Sequence, residues 1–166
     1  MLSVRESREL QAATLALKAA DRELRNDINR STTQTIGPVW KSVVAQHATG
    51  QMDARVLAQG ARVKAGNPPT AVAATSRRKL RGGLVPVASW HAWEFGADRN
   101  AVTTYQRRSK TGGTHKVTRH TRRQLPPRIR TGRVIFPAFA DVAPRAVSLW
   151  VQLIVRKYAD AAEGKG

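Results

Sequence analysis

Residues 138–158, AFADVAPRAVSLWVQLIVRKY, decide how this chain is read. Phe139, Val142, Ala146, Leu149, Trp150, Leu153, Ile154 and Tyr158 recur at three- and four-residue intervals, the repeat of one helix face. A C-terminal helix is expected over 138–162, fraying at Glu163-Gly164-Lys165-Gly166. Pro144 falls about one turn in, where a proline calls for a kink or a later helix start. The same period stands at the other end, in Leu10, Ala13, Leu17, Ala20, Leu24 and Ile28 with charged residues between them. Ser3 followed by Glu6 forms a capping-box pattern that starts this helix near Val4. Ser31-Thr32-Thr33 is helix-poor, and Gly37-Pro38 predicts a break or kink. Val39, Trp40, Val43, Val44 and His47 then mark a face again up to Gly50, which suits a C-terminal cap. The N-terminal helical region is thus 3–48.

Between the two helices the pattern shortens. Ala61–Lys64 and Thr70–Thr75 flank Gly66-Asn67-Pro68-Pro69, a turn composition, and predict a hairpin. Gly82-Gly83 marks a loop, and Val87 to Phe95, with two tryptophans and a phenylalanine, reads as one face of a sheet. Val102–Arg108 and His115–Thr121 are β-prone arms around Lys110-Thr111-Gly112-Gly113. They have too few large apolar residues to build a core, so they read as a projecting basic hairpin within an arm at 100–130; the alternative is a disordered basic loop. Val134-Ile135-Phe136 is expected to return as a core strand. The architecture predicted is α+β: long N-terminal and C-terminal helices packed on a small, mostly antiparallel β-sheet, with a projecting basic β-hairpin. It forms a single domain, 1–166, whose β-rich region is 55–136.

Only 5% of the residues are aromatic, which points to a small core built from Ala, Val and Leu. Cysteine is absent, so disulfides and thiolate metal sites are excluded. No apolar run is read as approaching the roughly 20 residues that cross a bilayer. The first residues lack the apolar core of a signal peptide, so a soluble intracellular product with no membrane partner is expected. The net charge is +18, from 29 Lys+Arg against 11 Asp+Glu. Between Ala54 and Ala140 the only acids are Glu94 and Asp98. Such a block points to an anionic partner, either nucleic acid or an acidic protein surface.

No catalytic or cofactor-binding constellation emerges. His115 and His120 stand five apart in a Gly-rich arm, and His91 and Glu94 three apart among strand-like residues; packed or solvated side chains describe them better than metal ligands. Gly82-Gly83 and Gly112-Gly113 lack phosphate-loop spacing. Paired carboxylates are hard to assemble when the central block has two acids in all, and no serine sits in a nucleophile elbow. The expectation is no enzyme, no metal and no cofactor. The Arg/Lys block could neutralise phosphates, and Tyr105 or a tryptophan could stack on bases, but no zinc-finger, helix-turn-helix or recognition-sheet pattern is present.

A long N-terminal helix, Leu80-Arg81-Gly82-Gly83, Trp93-Glu94-Phe95-Gly96, and Phe136-Pro137-Ala138-Phe139 opening a last helix follow one another in an order that resembles a known family. It is the siphophage neck or tail-completion family, the lambdoid-type minor tail components of head–tail joining, in the version found in phages of actinobacteria. The resemblance covers roughly Leu10 to Ala161 and departs from the family at the basic stretch between Gly96 and Phe136. It implies a virion structural protein, assembled in the host cytoplasm, that forms a homo-oligomeric ring at the head–tail junction. Sixfold symmetry is the family expectation. The implied partners are neighbouring connector, stopper, tail terminator or tail tube proteins, with nonspecific contact to DNA in the channel as a further option.

The family-motif residues Leu80, Arg81, Glu94, Phe95, Gly96, Phe136, Pro137 and Ala138 are expected to keep the fold, with Glu94 either pairing with an arginine of its own or a neighbouring subunit or simply solvated. The arm residues Arg107, Arg108, Lys110, Lys116, Arg119, Arg122 and Arg123 are expected to face another subunit or DNA, gripping an acidic partner first and DNA a close second. The competing function is a nonspecific nucleic-acid-binding protein that uses the same block.

Overall fold

The computed structural model describes residues 21–163. The expected start of the first helix near Val4 and the face from Leu10 to Ala20 lie outside them. Within the described residues the fold is α+β, with two separate two-stranded antiparallel sheets in place of the one sheet expected.

Helix α1 comprises residues 21–31, a π turn at Thr32–Ile36 and an α-helical stretch at Gly37–His47. The break expected at Gly37-Pro38 does not occur. The Gly37 N–H reaches back to the Thr32 carbonyl. One wide turn thus precedes the residue that has no N–H to donate, and a π turn admits proline without ending a helix. A short helix α2, Gln51–Asp53, runs into a second π turn at Ala54–Ala58. Strands β1 (Arg62–Lys64) and β2 (Thr70–Val72) form the predicted hairpin, pairing Val63 with Ala71. Pro86–Phe95 is helix α3, not the sheet face expected. Pro86 at its start fits the first helical turn, where a missing N–H is no loss. Strands β3 (Thr103–Arg108) and β4 (Thr114–Arg119) form the arm hairpin, and a 3-10 turn follows at Thr121–Gln124. Helix α4, Ile135–Ala162, absorbs the stretch read as a core strand at Val134–Phe136 and carries Pro144 inside it.

The chain divides into two units. The first comprises 1–43, 62–72 and 139–166, of which the described residues are considered. Trp40, 1% exposed, donates its indole N–H to the Val72 carbonyl at 3.0 Å and meets Phe139 edge-on at 6.4 Å. Thr32, buried in the π turn, donates to the Ile28 carbonyl and accepts the Trp150 indole N–H at 2.7 Å. Its hydroxyl therefore ties α4 to α1 at the point where the ladder of α1 widens. Asn29 Oδ1 accepts the Gly66 N–H and holds the β1–β2 turn. Leu24, Ile36, Val63 and Val142 complete this core.

The second unit comprises 44–61 and 73–138. Val44, Val56, Leu57, Ala61, Ala74, Val134 and Ala138 are buried in it, a core of the small aliphatic kind that the composition predicts. The Ala74 N–H donates to the Leu57 carbonyl, and Trp93 Nε1–H to Asp53 Oδ1 at 2.6 Å, joining α3 to α2.

Helix α4 also corrects the reading of its hydropathy. Over Ile135–Ala161 the helix is, by length and composition alone, apolar enough to cross a membrane, with mean hydropathy 1.3 in its most apolar window. Asp141 and Arg145 interrupt any continuous apolar run there, but in a helix they occupy only part of the circumference.

In the first unit Lys157 Nζ meets Glu23 Oε2 at 2.6 Å. The hydrogen bond from Lys157, and then its charge, hold the Glu23 carboxyl below its ordinary 4.5, while Lys157 is raised above 10.5. The contribution of Glu23 is therefore complete above its ordinary pKa and is lost as pH falls through the lowered one; that of Lys157 is complete below 10.5 and is lost above its raised value. Both groups are solvated, so the effect on stability is small. In Lys157→Met, the Glu23 titration followed by NMR is expected to move up toward 4.5.

Candidate functional site

Two of the motifs that carried the family resemblance, Glu94-Phe95-Gly96 and Phe136-Pro137-Ala138, meet at one joint in the second unit. Helix α3 ends at Phe95, and Gly96 follows with φ +68, in a region that favours glycine. A side chain at Gly96 would run into the Pro127 carbonyl oxygen, because Gly96 and Ala97 lie directly against Pro126-Pro127. The Ala97 N–H donates to the Pro126 carbonyl and the Ile129 N–H to the Phe95 carbonyl. These bonds bring the chain leading into α4 alongside the end of α3.

Glu94 is 0% exposed. Its Oε1 accepts backbone N–H bonds from Arg133 at 3.0 Å, Val134 at 3.1 Å, Ile135 at 2.9 Å and Phe136 at 3.1 Å; Oε2 takes a further bond from Val134 at 3.2 Å. The first turn of a helix presents N–H groups with no partner inside the helix, and here the accounting closes. Ile135 and Phe136 donate to Glu94, Pro137 has no N–H, and Ala138 donates to the Val134 carbonyl. A carboxylate at a helix N-terminus also meets the positive end of the helix dipole. The arginine pairing expected for Glu94 is thus replaced by capping, and the Arg133 guanidinium donates instead to the Pro127 carbonyl at 3.2 Å. Gly132 permits the approach: its φ is +81, and a Cβ there would stand 2.6 Å from Glu94 Oε1. The Phe95 and Phe136 rings pack at 5.1 Å beside the cap. Leu80 and Arg81 do not join this joint by any hydrogen bond; they form a tight turn in which the Gly83 N–H donates to the Leu80 carbonyl.

The basic arm is a two-stranded ribbon with nearly every residue exposed. Its register pairs Tyr105 with Val117, Gln106 with Lys116, Arg107 with His115, and Thr103 with Arg119. Alternation then places Tyr105, Arg107, His115 and Arg119 on one face, and Arg108 and Lys116 with Thr104, Gln106 and Thr118 on the other. The Arg119 guanidinium lies 5.9 Å from the Tyr105 ring centroid, within cation–π range. Lys110 stands in the tip turn, and Arg122 and Arg123 in the 3-10 turn beyond β4. Among the described residues none of Arg107, Arg108, Lys110, Lys116, Arg119 and Arg123 makes an ion pair with an acid.

A third surface was missed in the sequence. Val147, Val151, Val155 and Tyr158 on α4 are each more than half exposed, and Ile154 is 38% exposed. At about 100° per residue Val151, Val155 and Tyr158 fall away from Val142, Ala146 and Leu153, while Val147 and Ile154 flank them on the side nearer Trp150, where Val147 also borders a cavity of the first unit. The signal was present: a helix apolar on more than one side has a face left over for a second partner.

Among the described residues no three His, Asp or Glu side chains gather as a metal site. A cavity of about 170 Å³ in the first unit is lined by Ile36, Val63, Phe139, Val142, Val147 and Trp150 among others and is nearly all apolar. The hydroxyl in its lining, Thr32, is engaged with the Ile28 carbonyl and the Trp150 indole. No family model, curated protein or solved structure matches the chain.

The cap predicts a graded loss. Glu94→Ala leaves buried N–H groups without an acceptor and is expected to lower unfolding free energy by about 3 kcal/mol. Glu94→Gln keeps an acceptor oxygen but no charge and is expected to cost about half as much. Denaturant unfolding measures both, and equal, negligible losses would deny the cap its role.

Proposed function

We propose that this chain is a structural subunit of a tailed-phage neck, assembling into a ring at the head–tail junction. The observation that carries the reading is the exposed seam of α4. Val147, Val151, Ile154 and Tyr158 follow one another at intervals of four, three and four residues, the spacing with which one helix buries a stripe against another. An apolar stripe of this length on a surface marks an interaction site.

A bilayer is a poorer occupant of that stripe than a protein. The adjoining side of α4 is committed to α1 through the Trp150–Thr32 bond and the Lys157–Glu23 pair, and Asp141 and Arg145 fall within its apolar stretch. A ring closes when the seam of one copy meets a different surface of the next, head to tail around an axis, and a second copy of the chain is the partner that repeats such a contact. The family resemblance supports the reading further, because its Glu-Phe-Gly and Phe-Pro-Ala motifs form one physical unit, the cap and its packed ring pair.

The mass of the purified protein, alone and mixed with connector and tail proteins, at low and high salt, tests the proposal. A ring-sized assembly is expected, alone or on mixing, and Val151→Glu combined with Tyr158→Glu is expected to leave a folded monomer. A wild-type chain that stays monomeric with every partner overturns it.

A further inference from the structure

We infer that the β3–β4 arm is a DNA-binding ribbon that lies in a groove of duplex DNA and contacts phosphates from both of its faces, without reading sequence. This inference goes beyond the ring and does not depend on it.

Three observations carry it. The first is the distribution of charge over the ribbon. Arg107 and Arg119 stand on one face, Arg108 and Lys116 on the other, and Lys110 at the tip. An acidic protein surface would meet one face and leave the other charged and idle. A groove has a phosphate wall on each side, and the major groove of B-DNA, about 12 Å wide, admits a two-stranded ribbon. Six residues per strand give the arm a reach of roughly 20 Å, enough to follow the groove across several phosphates.

The second is that, among the described residues, the cations of the arm form no ion pair within the chain. From Arg99 to Ala140 the chain has no acid at all. Among the described acids, Glu94 is engaged in the α4 cap, Glu23 with Lys157, Asp21 with Arg25, and Asp53 with the Trp93 indole. A homo-oligomer repeats the +18 imbalance in every copy and cannot neutralise it. The counter-anion has to come from a different molecule, and duplex DNA carries about one charge per 1.7 Å of its axis.

The third is the chemistry of the remaining ribbon positions. Thr104 and Thr118 share a hydrogen bond across the strands at 3.2 Å, and Thr103, Gln106 and Thr114 extend the polar rows with donors suited to phosphate oxygens. Val117 is the only aliphatic side chain in either strand, so the arm has little with which to dock into a protein core. Among its side chains Tyr105 is the single aromatic, with Arg119 lying over its ring, and one aromatic does not make the stacking platform of a single-strand binder.

The test compares two fourfold variants of the full chain for binding to a fluorescent mixed-sequence duplex over a salt series. One replaces Arg107, Arg108, Lys116 and Arg119 by Gln; the other replaces Arg77, Arg78, Lys79 and Arg81, four exposed residues of the loop before α3, so both lose the same net charge. The arm variant is expected to reduce the slope of log affinity against log salt by about 3 to 4. The loop variant is expected to change it by less than about 1. Equal losses in the two variants overturn the inference in favour of diffuse attraction. An arm variant that keeps its DNA affinity but no longer binds an acidic polypeptide such as polyglutamate overturns it in favour of a protein partner. Circular dichroism of each variant guards against unfolding. The mass of each sample is read in parallel, so a monomer whose DNA affinity resides in the arm upholds this inference while denying the ring.

Discussion

The buried carboxylate of Glu94 is the constraint on which the second unit depends. It lies about 40 positions away from the N–H groups it satisfies, so the start of α4 is specified by a residue on another helix and not by its own flanking sequence. Three neighbouring features follow from that single requirement. Gly132 has to lack a side chain for Oε1 to reach the first turn, Gly96 has to turn sharply against Pro127, and Pro137 occupies a first-turn position where its missing N–H leaves nothing unpaired. Burying a carboxylate is costly unless hydrogen bonds to it are plentiful; here Oε1 alone receives four.

The first unit relies on a related device. Helix α1 meets Gly37-Pro38 without ending because its ladder widens over Thr32–Ile36. Thr32 in that turn receives the Trp150 indole. The irregularity that admits proline is thus also the place where α4 is fastened, which makes the π turn a structural joint more than a defect.

Charge and apolar surface are separated by element in this protein. The arm presents cations and hydroxyls with almost no apolar area, while α4 presents an apolar seam with few charges along it. Two such different surfaces suit two different partners, an apolar protein surface for the seam and a polyanion for the arm. The self-assembly and DNA readings therefore draw on different residues, and neither has to account for the other's surface.

The amphipathic periods around Leu24–Ile28 and Phe139–Tyr158, the turn chemistry at Asn67-Pro68-Pro69, and the Thr/Val/Tyr arms around Gly112-Gly113 determined the helices and both hairpins by themselves, since local spacing and turn propensity act within a few residues. They also determined that the arm is basic and coreless. Tertiary structure decided the rest. Residues 87–95 became a helix because the Trp93 indole reaches Asp53 and Glu94 is needed at the N-terminus of α4, contacts that no local pattern encodes. Val134–Phe136 became the start of α4 and not a strand because an acceptor about 40 residues upstream in sequence supplies the cap. Which apolar residues of α4 face inward was likewise undecidable from periodicity, because the helix is apolar on two sides and only the packing of Trp150 and Lys157 against α1 selects between them.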